Sequence, residues 1–156
     1  MTSAMVERHG DSVLGMGAPI HVVATTLEGT RGALAAATAL ARAMDSRVYV
    51  IAQTAVPRSV PAAPATIAAQ ALADDIRQLS EASSESVVVI AMLGRQPTDV
   101  IPLLPPRALV FIGGTSGRWW PSAAQRIAHA FARFGCRVVF VHASPAGMTS
   151  RTITDS

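Results

Sequence analysis

The chain has 156 residues, of which 50% are hydrophobic and 15% charged, and its formal net charge is +3. This length and composition predict one globular domain with a core of its own. No apolar run approaches the ~20 residues that a membrane-spanning helix requires. All 13 basic residues are arginine, which excludes chemistry that needs a lysine amine. The single cysteine, Cys136, excludes an internal disulfide and a site with several cysteine ligands.

The distribution of charge and the first residues of the chain indicate which partners and which cellular compartment to expect. The arginines are scattered singly and aromatic residues make up 4% of the chain, so we expect no nucleic-acid groove. The first residues include an acid and lack an apolar core, unlike a secretory signal. We therefore expect a cytoplasmic protein that does not contact membranes.

Regular elements are predicted in the middle of the chain. Residues 1–18 show no periodicity, which predicts a mobile N-terminal tail, and residues 144–156 are predicted to form a polar C-terminal tail. Between them, over 19–143, runs rich in valine and isoleucine alternate with helical patterns. The predicted strands are 20–26, 47–53, 86–92, 108–112 and 136–142, and the predicted helices are 33–44, 66–82, a short one at 98–104, and 122–134.

Capping and breaking residues set the predicted helix ends. Residues 27–32 are predicted to be a loop in which Thr30 is the N-cap of the first helix. Three prolines within 54–65 predict a surface connection before the second helix. Gly135 is predicted to end the last one.

Five strands alternating with four helical segments predict an α/β fold with a single doubly wound parallel sheet. Crossovers of this length join parallel strands and are right-handed, which places helices on both faces. Ligands of such sheets bind beyond the carboxyl ends of the strands. Thr25 and Thr26, at the carboxyl end of the first predicted strand, should therefore lie near the loop that follows the fourth.

That loop, Gly113-Gly-Thr-Ser-Gly117, allows two interpretations. Glycine lets the backbone approach a phosphate closely, and Arg118 would add a charge-assisted contact. Alternatively, the glycines serve a tight strand-to-helix turn that needs positive φ. The sequence is compatible with both interpretations.

Three stretches, residues 94–101, 108–117 and 136–141, together resemble the C-terminal half of a universal stress protein domain, and the layout of the first half agrees. The resemblance covers residues 20–143. It implies an adenine nucleotide such as ATP at the edge of the sheet. It also implies a homodimer formed through the last strand, with Val138–Val141 as the apolar edge.

ATP-binding members of that family use an aspartate after the first strand, a G-x-x-G loop after the fourth and a Gly-Ser pair further on. Thr25 stands at the aspartate position, Gly114 and Gly117 match the G-x-x-G loop, and Ser122 is the hydroxyl nearest to the missing pair. The resemblance thus implies a nucleotide site made of Thr25, Thr26, Gly114, Thr115, Ser116, Gly117, Arg118 and Ser122.

The sequence and the resemblance support three functional hypotheses. The first is a universal stress protein-like regulatory module that responds to an adenine nucleotide. The second is a dimeric interaction protein of the same fold that does not use ATP. An enzyme is the least favoured, because no nucleophile, base and orienting partner come together, and the histidine spacing predicts no metal site.

Overall fold

A computed structural model of the chain describes residues 17–55, 62–81, 87–115, 121–143 and 149–153. The strands are β1 (Ile20–Val23), β2 (Val48–Ala55), β3 (Val87–Gly94), β4 (Leu109–Gly114), β5 (Arg137–His142) and β6 (Thr149–Ile153). The α-helices are α1 (Leu27–Met44), α2 (Ala62–Glu81) and α3 (Ala123–Arg133), and a 3₁₀ helix spans Pro97–Leu103. The strands form one sheet in the order β3-β2-β1-β4-β5-β6.

The first five strands are parallel, which confirms the doubly wound α/β fold with four helical segments. Helices α1 and α2 pack on one face of the sheet, and α3 and the 3₁₀ helix pack on the other. The strand order reverses at β1, which has β2 on one side and β4 on the other. Ligands of such sheets bind where this reversal separates the strand ends. No helix among the described residues is long and apolar enough to cross a membrane.

The C-terminal part of the chain differs from the predicted polar tail. Residues 149–153 are not part of a polar tail but form β6, which pairs antiparallel with β5. The polar sequence of β6 lacks the alternation that predicts a strand, and pairing with the adjacent β5 supplies its order. Because β5 has β4 on one side and β6 on the other, Val138–Val141 is not an open edge. A dimer through that edge would first require β6 to leave.

Helix α1 begins six residues before its predicted start of 33, since its first residue is Leu27. Thr26, not Thr30, is the N-cap, and its hydroxyl accepts a hydrogen bond from the N–H of Gly29 at 3.1 Å. The hydroxyl of Thr30 instead accepts from the N–H of Thr25 at 3.0 Å. The predicted loop 27–32 is therefore the beginning of the helix.

The predicted start of the second helix was wrong, whereas the predicted end of the last helix is confirmed. Helix α2 begins at Ala62, inside the stretch that was predicted to be a connection. Pro64 does not prevent this start, because a proline in the first turn of a helix removes no intrahelical hydrogen bond. Gly135 follows α3 with φ of 90°, which confirms the prediction that a glycine ends this helix. The predicted N-terminal tail falls mainly on residues 1–16, which lie outside the described residues.

His21 is a buried histidine in β1, with 7% of its surface exposed and its ring stacked on Tyr49 at 5.8 Å between centroids. Burial lowers the pKa of its imidazole, because desolvation disfavours the charged form, while a hydrogen bond to the backbone of Leu109 acts in the opposite direction. Its Nδ1 has no hydrogen-bond partner in the described part of the chain. The neutral ring is therefore the form that the fold accommodates.

This burial predicts a pH dependence of stability. As pH falls below ~6.5, the usual pKa of histidine, the unfolded chain takes up a proton before the folded chain does. The stabilising contribution of neutral His21 to the free energy of unfolding should be fully present above this pH. It should decrease as the pH falls toward the lowered pKa of folded His21. Urea unfolding at about pH 7.5 and about pH 5.5 measures the loss, and His21→Phe should reduce it. An equal loss in wild type and variant would contradict the assignment.

Candidate functional site

Thr25 joins the carboxyl ends of the two central strands, β1 and β4. Its hydroxyl donates a hydrogen bond to the carbonyl oxygen of Gly113 at 2.6 Å. Since that proton is committed to β4, the hydroxyl oxygen is left to accept a hydrogen bond from a ligand. Thr25 therefore holds the strand ends together at the position where the resemblance implies an aspartate.

Gly113 and Gly114 belong to β4, so the loop that was predicted to start at Gly113 starts two residues later. Gly135 is the only glycine with positive φ in the described part of the chain, so these two do not make a positive-φ turn. Instead they permit close packing. A Cβ on Gly113 would lie 1.8 Å from the carbonyl oxygen of Gly29, and one on Gly114 would lie 2.4 Å from the Cβ of Ala124. The starts of α1 and α3 thus pack directly on the end of β4.

A cavity of ≈ 450 Å³ lies where these elements meet. This volume falls within the range of small-molecule sites. Five of the eight predicted residues line it, namely Thr25, Thr26, Gly114, Thr115 and Ser122, together with Leu27, Glu28, Ala123, Ala124 and Ile127. The other three, Ser116, Gly117 and Arg118, lie outside the described residues. The structure therefore brings together every predicted site residue that it describes.

Both flanking helices begin at this cavity. Ser122 caps α3 through a capping box, in which its hydroxyl accepts from the N–H of Gln125 at 3.1 Å and its own N–H donates to Oε1 of Gln125 at 2.8 Å. Thr26 caps α1 with its hydroxyl. The other first-turn N–H groups have no partner within their helices, and the helix dipoles place positive charge there. This electrostatic setting favours an anionic group in the cavity.

Glu28 is a cavity residue that the sequence analysis missed. It lies in the first turn of α1, where a carboxylate stabilises the helix dipole. The available signal was an acidic residue two positions after a threonine N-cap, which is typical of a helix start. Its carboxylate repels phosphate but accepts hydrogen bonds from hydroxyl groups, so the part of the cavity next to it favours hydroxyl groups over phosphate.

A second cavity of ≈ 690 Å³ lies between the 3₁₀ helix and α3. It adjoins the first, because Ala123 and Ile127 line both. Its remaining lining consists of Gln96, Pro97, Thr98, Arg126 and Ala130, with Arg126 as the one charged residue in that lining. The two cavities together leave room for a ligand considerably larger than phosphate.

The start of the 3₁₀ helix beside this second cavity is held by Asp99. Its Oδ2 accepts hydrogen bonds from the N–H of Gln96 at 3.0 Å and of Arg95 at 2.7 Å. These two backbone hydrogen bonds, that of Gln96 first, lower the pKa of the Asp99 carboxyl. Asp99 thus positions Gln96 at the wall of the cavity.

The described residues offer binding groups rather than reactive ones. No three His, Cys, Asp or Glu side chains among them are grouped so that they would hold a metal ion. Burial raises the pKa of the Cys136 thiol, which keeps it protonated and poorly nucleophilic. The cavity residues supply hydroxyl groups and first-turn N–H groups, which can hold an anionic group of a small molecule.

Comparisons of the chain with protein-family models, with curated proteins and with solved structures found no match. The resemblance to universal stress proteins therefore stays a hypothesis that depends on the motifs and on the parallel sheet.

Proposed function

We propose that the chain is a universal stress protein-like regulatory module that binds an adenine nucleotide at the carboxyl ends of β1 and β4. The observation that carries the proposal is the ≈ 450 Å³ cavity at the reversal of strand order, onto which the first turns of α1 and α3 both open. Sheets of this type bind nucleotides at this place. The protein would change its interactions according to whether the nucleotide is bound.

The residues that line the cavity support one orientation of the nucleotide. Its phosphates lie at the α3 end, where the first-turn N–H groups of Ala123 and Ala124 are donors. Its ribose lies at the α1 end, where Thr25 and the carboxylate of Glu28 accept hydrogen bonds from sugar hydroxyls. This orientation keeps the Glu28 carboxylate away from the phosphates.

Titration with ATP in a calorimeter tests the proposal. The wild-type protein should release heat in a saturable manner, and Thr115→Glu should weaken binding at least about tenfold, which corresponds to ~1.4 kcal/mol. The added carboxylate would face the phosphates, and because Thr115 is exposed at the cavity wall the variant should fold. Gln78→Glu on α2 is the matched control, since it changes the net charge equally at an exposed position outside the cavity.

Two outcomes of this titration would contradict the proposal. Wild-type binding that Thr115→Glu leaves unchanged would mean that the nucleotide binds elsewhere. An absence of heat with ATP would favour the second candidate, a dimeric interaction protein that does not use ATP. That candidate is supported by Thr25 at the aspartate position and by the exposed apolar residues of β3.

A further inference from the structure

Strand β3 forms one edge of the sheet, with β2 on one side and no described strand on the other. Its eight residues, Val-Val-Val-Ile-Ala-Met-Leu-Gly, include neither a charge nor a proline. Its pairing with β2 is continuous over all eight positions, so no bulge bends it away. Natural proteins normally protect an edge strand with a charge, a proline, a bulge or short length. β3 has none of these protections.

Large apolar side chains of β3 are exposed along this edge. Val88 and Ile90 are each 40% exposed, and Leu93 is 45% exposed. Val87 and Val89 pack against the core under α1 and α2, so Val88 and Ile90 lie on the opposite face. The connection from β3 to β4 contains a seven-residue 3₁₀ helix instead of a full α-helix. The residues that the structure describes therefore leave the side chains of Val88 and Ile90 partly uncovered on that face.

The other edge of the sheet has the opposite character. It is formed by β6, a strand of five residues whose middle residue, Arg151, is opposite Phe140 of β5. A short strand with a central charge resists pairing with a further strand. The described sheet therefore has one edge suited to strand pairing and one edge that discourages it.

We propose that two copies of this chain associate through β3, with the two strands antiparallel across a twofold axis. Such pairing satisfies the outward N–H and C=O groups of both edges and joins the two six-stranded sheets into one. In a twofold antiparallel pair, a charge on β3 would lie near the same charge of the partner strand and would be repelled by it. β3 carries no charge, so this repulsion does not arise.

Antiparallel pairing of the two β3 strands determines which side chains contact each other and limits the oligomer to two copies. Residues opposite each other in antiparallel strands lie on one face, so Val88 and Ile90 of each copy contact those of the other. The interface closes at two copies, because β6 at the far edge does not extend the sheet. Even a contact along the whole strand, ~27 Å at about 3.4 Å per residue, would be narrow for a stable interface, so we expect dissociation at low concentration.

Sedimentation of the full chain over a wide concentration range tests this dimer. The mass should rise from 16.2 kDa toward twice that value as the concentration increases. Ile90→Lys places two ammonium groups across the pair and should keep the protein monomeric throughout. Phe134→Lys is the control, since it replaces a side chain that is 69% exposed at the end of α3 and should leave the dimer intact.

Val88→Lys provides a second, independent variant, and circular dichroism shows that each variant is folded. A monomeric wild-type protein at every concentration would overturn the proposal and leave the β3 edge to a strand of another protein. A dimer that survives both lysine variants would overturn it as well, and so would assemblies larger than two copies. Because the measurement needs no nucleotide, its outcome is independent of the ATP titration.

Discussion

Replacing Gly113 with alanine is expected to lower the free energy of unfolding by at least about 3 kcal/mol, at the upper end of overpacking effects. The new Cβ would lie 1.8 Å from the carbonyl oxygen and 2.6 Å from the carbonyl carbon of Gly29. Both are backbone atoms, so no side-chain rotation relieves the overlap. Helix α1 would have to move away from β4, which would also strain the hydrogen bond from Thr25 to Gly113.

Urea unfolding of Gly113→Ala measures this effect, and Gly135→Ala is the matched control. Gly135 has no atom within 4 Å of an added Cβ, but its φ is 90°. Gly135→Ala should therefore show only the cost of positive φ, about 1–2 kcal/mol. If Gly113→Ala costs no more than the control, α1 does not pack against β4 as described.

The contact between β4 and α3 predicts a second large loss of stability. In this case a second substitution should restore part of the loss. Gly114→Ala alone should cost about 2 kcal/mol, because the new Cβ would lie 2.4 Å from the Cβ of Ala124. Ala124→Gly alone should cost about 1 kcal/mol through helix propensity. The double variant should lose less stability than the two single variants together, since removing the Ala124 Cβ makes room for the new one.

A double-mutant cycle of unfolding free energies measures this relief, with an expected coupling of about 1 kcal/mol or more. Gly114→Ala combined with Ala128→Gly is the control, because Ala128 is buried on the same helix but is not among the close neighbours of Gly114. That control pair should be additive. Additivity in the Gly114 and Ala124 pair as well would contradict the close contact between β4 and α3.

The main architecture was predictable because it depends on signals within each segment. Runs of β-branched residues mark the strands, and the lengths between them dictate parallel crossovers. Strand β6 was not predictable in this way, since its order comes from pairing with β5 and its own sequence is polar. The start of α1 was missed for a similar reason. Thr26 and Thr30 are both suitable N-caps, and Gly29 looks like a loop residue until its contact with Gly113 is seen.

That the described candidate residues lie around one cavity was predictable, because the carboxyl ends of parallel strands meet at one edge. The role of the glycines was not predictable, since the close approach of Gly113 to Gly29 depends on atoms 84 positions apart in the chain (113 − 29). Glu28 was overlooked because 27–32 was predicted to be a loop. The second cavity, with Arg126, depends on how the 3₁₀ helix and α3 face each other, which no local pattern encodes.

Amide chemical shifts recorded during an ATP titration test the proposed nucleotide site most directly. Binding in the cavity predicts saturable shifts for the amides of Gly114, Thr115, Ala123 and Ala124, with smaller shifts at Glu28 and none along α2. Unchanged spectra at millimolar ATP, or shifts confined to residues away from the ends of β1 and β4, would contradict it.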